Sequence, residues 1–109
     1  MADVRYKLQY LPLFYEDLER AVIYIAETLK NEKAANDLLD AVEKAIMKRL
    51  PMAESFELYY SLKERRYPYY RIYVNNYTIY YVVMECRSGK KIMEVRRFLH
   101  NKQNREKIL

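Results

Sequence analysis

A chain of 109 residues with 51% hydrophobic and 32% charged side chains has the size and balance of one folded domain, residues 1–109, and excludes a disordered or fibrous protein. One Gly and three Pro leave no material for a glycine-rich phosphate loop, a single Cys excludes an internal disulfide or a cysteine-based zinc site, and no apolar run approaches the roughly 20 residues of a membrane span. The net charge of +5 is unevenly spread, with 8 Lys and Arg against 10 Asp and Glu in residues 1–54 and 12 against 5 in residues 55–109, so the second half calls for an anionic partner, either nucleic acid or an acidic protein.

The first predicted element is a short strand over residues 5–11, where Tyr6, Leu8 and Tyr10 alternate with Arg5, Lys7 and Gln9. From Phe14 the period lengthens. Phe14, Leu18, Ala21, Val22, Ile25 and Leu29 recur at three- and four-residue steps, which predicts an amphipathic helix preceded or opened by Pro12, with Glu16 and Asp17 suiting its positive end and Lys30-Asn31 closing it. Ala35, Leu38, Leu39, Val42, Ala45 and Ile46 form a second stripe that starts at Asn31 or Glu32 and stops at Pro51. The short connection makes the two helices an antiparallel hairpin whose apolar stripes cover one face of a sheet.

Residues 51–68 lack a clean period and read as a surface loop ending in Glu64-Arg65-Arg66-Tyr67-Pro68. Tyr70 to Val74 and Tyr77 to Val83 then flank Asn75-Asn76, two residues that tolerate positive φ and suit a tight hairpin turn. Arg87-Ser88-Gly89-Lys90 supplies a second turn. In the strand from Lys91 to Phe98, Ile92, Glu94, Arg96 and Phe98 alternate against Met93, Val95, Arg97 and Leu99, so Arg96 and Arg97 are expected on opposite faces. The order is β-α-α-β-β-β, an α+β fold in which an antiparallel sheet packs against a two-helix hairpin. Cys86 is expected to be a buried thiol in a reducing compartment, and the absence of a leader-like N-terminus points to a cytoplasmic protein.

Tyr is the most over-represented residue, 13 in all, and most of these lie from Tyr59 to Tyr81 among Lys63, Arg65, Arg66 and Arg71. Rings beside guanidinium groups suit RNA, because unstacked bases stack on the rings while cations hold phosphates. At least half of these tyrosines are expected to be ordinary sheet residues that pack a ring and keep the hydroxyl wet.

Asp17-Leu18-Glu19 and Tyr24-Ile25-Ala26 in the first helix, Tyr70-Arg71-Ile72 with Asn76-Tyr77-Thr78-Ile79-Tyr80-Tyr81 in the hairpin, and Val95-Arg96-Arg97-Phe98-Leu99-His100 in the last strand carry a resemblance. In this order the chain resembles the RelE/ParE superfamily of bacterial type II toxin–antitoxin toxins over nearly its whole length. The resemblance implies a growth-inhibiting toxin neutralised by a cognate antitoxin protein. The first expected activity is metal-independent, ribosome-dependent mRNA cleavage; the alternatives are inhibition of DNA gyrase without nuclease activity, and a non-toxic binding module of the same fold. No metal, cofactor or membrane contact is expected. RNA cleavage needs a group to activate the 2′-hydroxyl, an acid for the leaving oxygen and cations for the phosphorane charge. The candidates are Arg71 and Arg97 as phosphate clamps, His100 or Tyr81 as proton donor or acceptor, and Arg65, Arg66 and Lys102 as nucleic-acid contacts. The RNA-cleaving members often carry an arginine where this chain has Thr78.

Overall fold

The computed structural model describes residues 6–60, 66–103 and 108–109. Strand β1 (Tyr6–Tyr10) leads through Leu11 into helix α1 (Pro12–Ile23), which runs on as a π-helical turn over Tyr24–Thr28. Helix α2 (Glu32–Arg49) returns antiparallel, followed by a short 3-10 turn at Leu50–Met52. Strands β2 (Leu58–Tyr59), β3 (Tyr69–Val74), β4 (Tyr77–Glu85) and β5 (Lys91–His100) complete one five-stranded sheet in the order β1-β5-β4-β3-β2.

Local chemistry accounts for most of these boundaries. Pro12 sits in the first turn of α1, where its missing N–H costs nothing. Asn31 caps α2 by accepting the Ala34 N–H at 3.0 Å. Between the helices Lys30 takes φ 50, and the Asn31 N–H reaches back to the Ile25 carbonyl. The wide turn at Tyr24–Thr28 has a consequence for packing: one extra residue per turn rotates the apolar stripe, so Leu29, expected inside, lies 57% exposed. Asn75, at φ 52, makes the two-residue β3–β4 turn, and Gly89, at φ 83, makes the β4–β5 turn. Cys86 opens that second turn and is exposed, which corrects its expected burial.

The sheet departs from the expected one in three ways. It is mixed rather than antiparallel, because β1 lies parallel to β5 with Tyr6 opposite Lys91 and Tyr10 opposite Val95. The expected loop over 51–68 contains β2, which pairs Leu58 with Tyr70 and Tyr59 with Tyr69. The third departure is a bulge in β5: Tyr81 pairs with Val95 but Tyr80 with Arg97, leaving Arg96 as the extra residue. That insertion reverses the alternation, so Phe98 joins Met93 and Val95 on the helix side instead of opposing them. Arg96 turns back to donate to Glu94 at 2.9 Å.

Two apolar clusters lie on either side of the sheet. Phe14, Ala21, Leu38, Val42 and Ile46 of the helices pack on Tyr70, Ile72, Val74, Ile79, Tyr81, Met93, Val95 and Phe98. On the outer face Tyr69, Tyr80, Val82 and Leu99 gather with Leu109, so the end of the chain returns to cover part of that face.

Glu54, just after α2, ties the start of β1 to the start of β5 by accepting from the Tyr6 hydroxyl at 2.9 Å and from Lys91 Nζ at 2.6 Å. Burial pushes the Glu54 carboxyl up, but the hydrogen bonds from Lys91 and Tyr6 outweigh it and hold the group below its ordinary 4.5. The Glu54 hydrogen bond raises Lys91 above its ordinary 10.5, against a smaller desolvation effect. A depressed carboxylate stabilises the fold above its unfolded value and loses that contribution as pH falls through the folded one; a raised lysine loses its contribution as pH climbs through its folded value. The melting temperature is therefore expected to form a plateau that falls below about pH 4.5 and above about pH 10.5, and Glu54→Gln should flatten both limbs relative to wild type. Equal limbs in the two proteins, measured by calorimetry across that range, would remove this pair from the account.

Candidate functional site

Beyond Tyr10, strand β1 leaves the edge of β5, the last bond being Leu11 N–H to the Val95 carbonyl at 2.9 Å. The open edge that follows is taken over by a side chain of α1. Asp17 accepts the Phe98 N–H at 3.0 Å and a two-pronged pair from Arg97, Nε at 2.7 Å and Nη2 at 2.9 Å. The Asp17 side chain is only 4% exposed, and its hydrogen bond outweighs desolvation to raise Arg97 further. Arg97, expected as a phosphate clamp, is thus committed to a carboxylate within the chain.

Tyr81 sits in the helix-side core. Its hydroxyl donates to the Ala53 carbonyl at 2.7 Å and accepts from Arg49 Nη1 at 2.9 Å. Burial drives its pKa up and the Arg49 hydrogen bond offsets part of the rise, so it remains a protonated phenol at neutral pH. Arg49 also donates to the Arg71 carbonyl at 3.1 Å and lies 3.4 Å from the centre of the Phe56 ring. Nothing in the sequence beyond its place before Pro51 marked Arg49 as a core cation.

Arg71 projects from the outer face, opposite Tyr80, between the rings of Tyr59 at 4.9 Å and Tyr73 at 5.8 Å. Arg66 is exposed beside Tyr67, and Lys102 is exposed in the turn after β5. Arg65 lies outside the described residues. Thr78 is buried and donates to Asn101 Oδ1 at 2.6 Å. The four expected catalytic groups are therefore divided between the two faces: Tyr81 and His100 lie on the helix side, while Arg71 and Arg97 flank Tyr80 in one cross-strand row of the outer face, with Arg97 reaching the β5 edge to pair with Asp17.

His100 occupies a different setting, a pocket of about 300 Å³ between α1 and the end of the β4–β5 pair. Its walls are Ala21, Tyr24, Tyr77 and Phe98, its rim Arg20, His100 and Gln103, and Asp17 lies against its floor. Tyr77 stacks on Phe98 at 4.7 Å and meets the His100 ring edge-on at 5.1 Å. The Lys102 N–H donates to His100 Nδ1 at 3.0 Å, which places the proton of the neutral ring on Nε2.

A helical hairpin on one face of a β1-β5-β4-β3-β2 mixed sheet, with basic side chains on the other, defines the class: this is a RelE/ParE-like toxin fold. The family model described as ParE toxin of type II toxin-antitoxin system, parDE, matches residues 8–105, and the chain belongs to that family. It is a toxin of a type II toxin–antitoxin system, a family that implies an antitoxin partner. A search of curated proteins finds no match. No described helix is long and apolar enough to cross a membrane.

Proposed function

We propose that this toxin arrests growth by binding DNA gyrase and blocking supercoiling, without cleaving RNA, and that the antitoxin silences it by occupying its surface. The reading reverses the order expected from the sequence. What carries it is Tyr81: a proton donor for RNA cleavage must reach the leaving oxygen, and this hydroxyl is buried with both its donor and an acceptor position engaged by Ala53 and Arg49. Arg97 adds to this, since stabilising a developing phosphorane would require it to leave Asp17. The family description supports the same reading, because gyrase is the target that the ParE branch of the resemblance implies.

One observation favours the other reading. Arg71 between Tyr59 and Tyr73 is a cation flanked by two rings on the outer face, an arrangement that stacks bases and holds a phosphate. The two readings separate in a pair of assays. Purified chain added to gyrase and relaxed plasmid is expected to suppress supercoiling, while mRNA 5′ ends mapped after brief induction are expected to match those of uninduced cells. New codon-phased ends with normal supercoiling would reinstate RNA cleavage.

A further inference from the structure

At the C-terminal end of α2 lies another cavity, of about 240 Å³, whose lining includes Lys48, Arg49, Met52 and Phe56 and shares no residue with the pocket beside His100. The Arg49 cation in its wall is only partly engaged. Arg49 commits one nitrogen, Nη1, to the Arg71 carbonyl and the Tyr81 hydroxyl. Its Nε and Nη2, the parallel donors that a carboxylate takes side-on, donate to no described group. The same two nitrogens of Arg97 show what fills such a fork in this protein, since they hold Asp17 at 2.7 and 2.9 Å. No buried side-chain nitrogen among the described residues lacks a partner, so the Arg49 fork opens to solvent. Among the described residues neither Arg49 nor Lys48 forms an ion pair. The acids of α2, Glu32, Asp37, Asp40 and Glu43, all precede Lys44, Lys48 and Arg49, and Glu54 beyond them is held by Lys91. The negative end of the helix dipole favours cations here and accounts for Lys48, but it supplies no acceptor to the Arg49 fork.

We infer that the toxin grips its protein target here: an acidic side chain of gyrase sits on the Arg49 fork, and an apolar neighbour of that side chain packs on Met52 and Phe56. The cavity is smaller than the roughly 300–1,000 Å³ of small-molecule sites, which favours a side chain over a metabolite. Met52 and Phe56 stand 45% and 43% exposed at its mouth, so apolar surface adjoins the cation. An arginine set among apolar side chains is a frequent anchor of protein interfaces, and its attraction for a carboxylate strengthens as the partner excludes water. Stacking on Phe56 and the bonds to Tyr81 and Arg71 fix the guanidinium before binding, so little ordering remains when the partner arrives. Charge complementarity thus selects an acidic segment, and Lys48 at the rim adds to its attraction. The inference rests on gyrase being the target.

Replacing Arg49 would also remove its bonds to Tyr81 and the Arg71 carbonyl, so the test uses the rim, with Lys48→Glu and Met52→Ala made singly and together. Both side chains are exposed, and melting of the variants should be close to wild type. Binding of the purified chain to whole gyrase is measured by titration calorimetry beside the supercoiling reaction. Lys48→Glu is expected to weaken binding about tenfold, and the pair by more, with the concentration for half-inhibition of supercoiling rising in step. Added salt should weaken the wild type more than Lys48→Glu, as loss of an attracting charge requires. Gyrase binding by the double variant within about twofold of a wild type that does inhibit would overturn this surface and leave the gyrase reading standing. Weakened antitoxin binding with gyrase binding intact would overturn it too, assigning the surface to the antitoxin. A wild-type chain that does not bind gyrase would sink the reading of the target and this inference with it.

Discussion

Asp17→Ala should destabilise the fold by about 3 kcal/mol, because it removes the buried carboxylate that the Arg97 guanidinium and the Phe98 N–H both donate to. A domain of this kind is stable by about 5–15 kcal/mol in total, so the loss is a large part of the whole. The carboxylate occupies the place of a missing neighbouring strand: β1 stops at Tyr10, and past it α1 supplies one side chain to finish the edge of β5. Asp17→Asn retains a carbonyl for the Phe98 N–H but loses the charge, so it should cost clearly less than Ala. The Arg20–Asp17 contact at 3.9 Å contributes little, since Arg20 is largely in water. Urea unfolding of the two variants is the measurement. A loss of under about 1 kcal/mol for Asp17→Ala would mean that the pair is replaceable by solvent.

Tyr81→Phe should cost about 1–3 kcal/mol while leaving growth arrest intact in proportion to the folded protein present. The substitution removes a hydroxyl that bridges Ala53 and Arg49, leaving a buried carbonyl and one guanidinium N–H short of a partner. Its ring would still stack on Tyr70, whose centre is 5.2 Å away. The comparison with growth arrest carries the functional content. If arrest falls far more than the folded fraction does, Tyr81 takes part in chemistry and the non-enzymatic reading fails.

The helices were legible because burial imposes a period on the sequence. Phe14, Leu18 and Ala21 in α1, and Leu38, Val42 and Ile46 in α2, pack in the helix-side core as the spacing predicted, and Ala35 is buried. Asn75-Asn76 and Gly89 were legible for a different reason, since few residues tolerate the positive φ both turns use. The β5 bulge was not, because an inserted residue leaves no mark in a strand whose side chains on both faces are partly apolar, and it was the bulge that placed Phe98 with the helices. Parallel pairing of β1 with β5 depends on which strand the chain passes beside, and alternation within β1 is the same either way.

The site was less legible than the fold. Asp17 was read as a charge suited to a helix end, yet it lies three residues after Phe14 and four before Ala21, within the apolar stripe. An acid in that position needs a buried partner, and this was the available signal for the Arg97 pair. Tyr81 and Arg71 were grouped by chemical type, whereas strand alternation sends them to opposite faces. His100 was singled out as the one histidine, and half of the pocket beside it, Asp17, Arg20, Ala21 and Tyr24, comes from a helix some eighty positions earlier.

The most direct test of the central claim is the gyrase supercoiling reaction with purified chain, run with and without the cognate antitoxin. Supercoiling suppressed by the chain and restored by the antitoxin is the predicted result. Undiminished supercoiling at chain concentrations that match those arresting growth would contradict it.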